Sequence, residues 1–143
     1  VNVALGTDSA ASNNDLNMFA EMQSAALLAK LRCQDATVLP AADALYMATL
    51  GGARAMGLEQ SIGSLEPGKQ ADVIAVDLSG PECQPLYNPL SQLVYACNGS
   101  QVSHTWVAGE LLLGSGELTR IDMPDLLARA TRWRDRINKT KQQ

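Results

Sequence analysis

The residues predict an α/β fold in three successive parts, on three observations. A short apolar run, Val3–Gly6, exits through Thr7-Asp8-Ser9 into a cluster of small polar residues and then a long stretch of helix formers. From Ser61 the character changes to Val- and Ile-rich runs punctuated by Pro and Gly, the pattern of strands and turns. From Asp122 the apolar residues return to helical spacing. The expected parts are 1–60, the end of an α/β unit; 61–118, a smaller β structure; and 119–143, a closing helix.

Val3–Asn14, VALGTDSAASNN, organises the first part. Val3 to Gly6 reads as a buried strand and Asp8 stands where that strand turns out into a loop. Burying a carboxylate there is costly unless its charge is compensated. A metal ion is a strong compensator, and the C-terminal ends of parallel strands are where such sites gather. The same residues also allow a plainer role, in which Asp8 caps the helix or hydrogen-bonds the Ser-rich loop behind it.

Asn13 or Asn14 is a suitable N-cap, with Asp15 favourable in the first turn of a helix through Leu31. Met18, Phe19, Met22, Ala25, Ala26, Leu27 and Leu28 occupy more than one face, so this helix is expected to be covered on two sides. Arg32–Val38 is a loop. Pro40 opens a second helix through Leu45, Ala48 and Leu50, Gly51-Gly52 interrupts it, and Ala53–Met56 forms a third that Gly57 closes.

In the second part, Pro67-Gly68 suits the central positions of a type II turn. Asp72–Leu78, DVIAVDL, reads as a strand buried on both faces. Ser79–Pro89 carries three prolines and is a loop, Leu90–Ala96 a short helix, and Val102–Val107 with Glu110–Leu113 a hairpin around Ala108-Gly109, a turn weak enough to admit a bulge. In the tail, Asp122 is an N-cap and Leu126, Leu127, Ala130, Trp133 and Ile137 share a face. Four nearby arginines suit the helix dipole and a solvated face better than an anion site.

Composition excludes several functions. The 143 residues allow one ordinary domain, short of the ~250 that a complete (β/α)8 barrel needs. With a net charge of −4 there is no basic footprint for nucleic acid. No apolar run reaches the ~20 residues of a membrane span, and no secretory pattern opens the chain. Cys33, Cys83 and Cys97 are an odd number at unmatched spacings, which argues against a disulfide framework or a metal knuckle and for reduced thiols in a cytoplasmic protein. Val1 already lies inside an apolar run, as if the chain were cut from something longer.

Three stretches together resemble one family. LGTDSAASNNDLNMFAEMQSAALLAK is similar to the last barrel strand and following helix of the amidohydrolase superfamily, within its branch of 5-methylthioadenosine/S-adenosylhomocysteine deaminases and triazine hydrolases. ARAMG with IGSLEPGKQADVIAVDL resembles that family's return from barrel to β-sandwich, and NPLSQLVYACNGSQVSHTWVAGELLL its closing sandwich strands.

The resemblance implies the C-terminal part of a (β/α)8 barrel, 1–60, then part of a β-sandwich, 61–118, and a C-terminal helix. It implies one Zn2+ per site, with Asp8 as metal ligand and as base for the metal-bound water that attacks the amino-bearing carbon of a purine nucleoside. Ser9, Ser12 and Asn13 become neighbours of the substrate, or else stabilise the loop and cap the helix. The family's metal histidines and general-acid glutamate have no counterpart: His104 is the only histidine, expected to be structural or at the surface, and Glu21 is expected on a helix surface. This chain alone is therefore expected to be inactive and to need the N-terminal portion of the same protein as partner. Homo-oligomerisation stays open. So do a guanine or cytosine deaminase, a chlorotriazine hydrolase, and a non-catalytic partner-binding module.

Overall fold

The computed structural model describes residues 1–140. The order is α1 (Met18–Cys33), α2 (Ala41–Ala48), α3 (Leu50–Ala55), β1 (Val73–Val76), α4 (Pro89–Tyr95), β2 (Val102–Val107), β3 (Glu110–Gly114), β4 (Glu117–Leu118) and α5 (Met123–Thr140). This is the expected α/β class, with one small antiparallel sheet in the order β1-β2-β3-β4.

The opening strand is not formed. The first residues carry no ladder; they are tied down by Leu5 N–H donating to the Met47 carbonyl (3.1 Å) and by the Asn2 amide donating to the Gly51 carbonyl (2.9 Å). A strand requires a hydrogen-bonded neighbouring strand, and the helical backbone beside it offers a single bond. The first helix also starts later than Asn13 or Asn14. Asn17 is its cap, accepting from the Phe19 and Ala20 amides. The earlier candidates hold local turns instead: Asn13 Oδ1 accepts from the Asp15 amide and Asp15 Oδ1 from the Asn17 amide (3.4 and 3.3 Å). Side chains of this type compete with helix for the backbone.

Only one face of α1 is covered, through Phe19, Met22 and Ala26, while Leu28 and Leu31 stay 62% and 74% exposed. The break after α2 falls at Thr49, whose hydroxyl donates back to the Leu45 carbonyl (2.7 Å), and not at the glycines. Gly51 serves close approach: a Cβ there would lie 2.9 Å from the Tyr46 carbonyl and 3.2 Å from that of Val3. Gly57, at φ +71°, closes α3 as expected, with Leu58 N–H reaching the Ala53 carbonyl and Gly57 N–H that of Arg54, a Schellman arrangement.

Pro67-Gly68 forms the expected type II turn, with Gly68 at φ +92° and Lys69 N–H donating to the Glu66 carbonyl. β1 is shorter than DVIAVDL and is an edge strand with Ile74 half exposed, so it is not buried on both faces. Ala108 and Gly109 both take positive φ, +50° and +80°, the tight two-residue turn that matches strand twist. The bulge sits one step inside it, where the register shifts between Thr105 and Trp106. Ser115-Gly116 makes a second such turn into β4, which the sequence reading missed.

The core lies between α1, α2 and α4: Phe19, Met22, Ala26, Ala41, Ala44 and Val94, joined by Cys83 and Cys97. Beside it, a groove of about 650 Å³ runs between α1–α2 and the sheet, lined by Met18, Leu65, Val73, Ile74 and Trp106 among others. Asp122 caps α5 by accepting from the Asp125 amide (3.0 Å), yet no residue of α5 is buried. Among the described residues no helix is long and apolar enough to cross a membrane.

Candidate functional site

Asp8 adopts φ +58°, a left-handed conformation that short polar side chains tolerate better than most. Four residues on, Ser12 Oγ donates to Asp8 Oδ2 at 2.5 Å. The loop between them is drawn tight by the Ser9 carbonyl, which accepts from the amides of Ser12 and Asn13 at 3.0 and 2.9 Å. The Ser12 hydroxyl, and after it the Ser9 backbone, hold the Asp8 carboxyl below the ordinary aspartate range. Asp8 is thus kept ionised.

The structure brings Asp8 and Ser12 into direct contact. Ser9 joins them through its backbone. Asn13 turns the other way, its amide donating to Glu21 Oε1 at 2.6 Å and tying the loop to α1. Glu21 lies in the first turn of α1, half-buried where its carboxylate accepts this bond. The sequence offered no signal for it, since the pair is eight residues apart and crosses a helix start. Asp8 itself is exposed, not buried at a strand end, because the segment before it forms no sheet.

Carboxylate oxygen is an accepted zinc ligand, and an exposed, ionised Asp8 fits that role. Among the described residues, no three His, Cys, Asp or Glu side chains cluster in a way that could hold a metal. His104 lies on β2, stacked on Trp106 with ring centroids 5.4 Å apart. The described residues therefore form no metal site by themselves.

Residues 1–112 match the profile of the Amidohydrolase family. The chain is 56% identical over 137 residues to the 5-methylthioadenosine/S-adenosylhomocysteine deaminase of Teredinibacter turnerae, covering 96% of this chain and 31% of that protein. It is 51% identical over 132 residues to the enzyme of the same name from Moorella thermoacetica, covering 92% and 31%. The solved structure of an adenosine deaminase from Xanthomonas campestris, with bound zinc, matches at a TM-score of 0.93 and 55% identity over 97% of this chain and 32% of that one. An atrazine chlorohydrolase from Arthrobacter aurescens, complexed with zinc, matches at 0.77 and 26% over 92% and 29%. The chain spans about a third of the length of these relatives.

Proposed function

The chain belongs to the amidohydrolase family, and from that premise we propose that it is the C-terminal part of a zinc-dependent hydrolytic deaminase. Its substrate is a 6-aminopurine nucleoside of the 5-methylthioadenosine or S-adenosylhomocysteine type, converted to the inosine analogue and ammonia. The observation that carries this reading is the 55% identity, over 97% of the chain, to a zinc-bound adenosine deaminase. In the same reading residues 1–60 complete a (β/α)8 barrel, 61–118 belong to a β-sandwich, and 119–143 form the C-terminal helix. The rest of the barrel and the remaining metal ligands come from an N-terminal portion of the same protein. The 143 residues alone are inactive. Three unpaired thiols suit the cytoplasm, where they stay reduced.

Asp8 would hold the metal through its carboxylate. When bound, the zinc supplies the acidity that lowers the pKa of its water towards ~7. Asp8, held ionised by Ser12, would accept a proton from the attacking water and would later give it to the departing amine, which leaves as ammonia. Ser12 holds Oδ2 and so fixes the plane of the carboxylate. Ser9 and Asn13 shape the loop that faces the substrate.

The test is ammonia release by the zinc-loaded full-length protein with 5-methylthioadenosine, S-adenosylhomocysteine, guanine, cytosine and a chlorotriazine. Turnover of the first two is expected. In Asp8→Asn, kcat is expected to fall roughly 10²–10⁴-fold, together with zinc content. Unchanged turnover in that variant removes Asp8 from the chemistry. Chloride release without aminopurine turnover favours the triazine hydrolases, whose identity to this chain is about half as high. Inactivity on every substrate at full zinc occupancy favours a non-catalytic module.

A further inference from the structure

The strongest feature outside the site is α5. It is 18 residues long and none of them is buried. Leu126, Ala130, Trp133 and Ile137 recur at alternating spacings of four and three, which lays them in one narrow seam. Trp133 is 59% and Ile137 51% exposed along it. The flank beside Trp133 is basic: Arg129, Arg132 and Arg136 line one cleft with the indole, and the Arg136 guanidinium lies over its ring at 5.3 Å. Arg129 approaches Asp125 at 3.9 Å and Arg134 pairs with Asp135, whereas Arg132 and Arg136 have no carboxylate partner among the described residues.

An apolar seam with a one-sided cationic border fits a surface of matching shape, an apolar strip edged by carboxylates. We propose that α5 is an intramolecular strap, and that its occupant is the N-terminal portion of the same polypeptide, resting on the reading under Proposed function. Two observations select this occupant. The relatives carry the matching sequence within chains about three times as long, so most of their surface lies outside these residues. Charge argues against α5 of a second copy: five cations against two carboxylates leave the helix at +3, and paired seams would set arginine against arginine. A lipid surface is disfavoured by the two aspartates and by a seam narrowed at Ala130, since interfacial helices present a broad apolar face.

The test uses the full-length protein with single cysteines at Ile137→Cys, in the seam, and Asp135→Cys, on the opposite side, both at positions exposed here. Maleimide labelling of each site is followed by peptide mass spectrometry, which separates them from the native thiols. The seam cysteine is expected to react at least about tenfold more slowly than the other, at every protein concentration. Arg132→Glu with Arg136→Glu is expected to speed seam labelling selectively. Equal rates at both sites would overturn the strap. Protection lost on dilution would assign the seam to a second copy, and protection appearing only with anionic phosphatidylserine vesicles would assign it to a membrane; either overturns the proposal. Labelling does not depend on turnover, so the strap and the deaminase reading fail separately.

Discussion

Asp8 sits in a left-handed backbone conformation, which for a non-glycine residue costs on the order of 1–2 kcal/mol, and the loop around it is built to hold that geometry. Ser12 Oγ at 2.5 Å and the Ser9 backbone both favour the ionised carboxyl. Their sign fixes a pH window. The carboxyl titrates lower in the folded chain than in the unfolded one, so the interaction is intact above the unfolded value and is lost as pH falls through the folded one. Ser12→Ala is expected to raise the Asp8 pKa towards its ordinary value, seen by carboxyl-carbon NMR in metal-free full-length protein. A partner that orients a metal ligand contributes about 10–100-fold to affinity or activity, so the same variant is expected to lose zinc affinity on that scale in a metal titration. The bond between Asp8 and the Ser-rich loop was legible as the plainer of its two readings, because an Asp followed closely by serines is a local pattern. Glu21 was not, because its bond to Asn13 joins a loop to a helix and leaves no spacing to read.

Among the elements, three closed by local turn chemistry were read correctly: Gly57 after α3, the Pro67-Gly68 turn, and the Ala108-Gly109 hairpin. Some of the errors arose where the deciding contact lies elsewhere in the chain. Gly51-Gly52 looked like a helix break, yet Gly51 is small because Val3 and Tyr46 approach it. Gly63 illustrates the same point more sharply. Its φ is +89°, and an added Cβ would fall 2.6 Å from Ala53 Cβ and 3.0 Å from Leu50 Cα. Neither neighbour is a flexible side-chain end, so α3 would have to shift. Gly63→Ala in the full-length protein is expected to cost about 1–3 kcal/mol, read as a lower denaturant midpoint. An unchanged midpoint would mean that α3 is not packed against this loop.

At the level of the whole molecule, the α/β class and the order of elements were legible, and the first strand was not realised because no described strand lies beside it to complete a ladder. The groove beside β1 is open, and β1 is an edge strand with Ile74 exposed. Such edges recruit other chains unless covered. The isolated 143 residues are therefore expected to self-associate and to bind a hydrophobic dye; a compact monomer that unfolds cooperatively in denaturant would contradict this.

The charge of α5 has a consequence for handling the protein. The chain total of −4 conceals two opposed regions, since a helix at +3 leaves the remainder at −7. A chain so divided has a large electric dipole moment. It will be retained by anion-exchange resin through its body and by cation-exchange resin through its tail, at one and the same pH. Ending the chain at Asp122 would abolish only the second behaviour, which makes column retention a simple register of whether the tail is free.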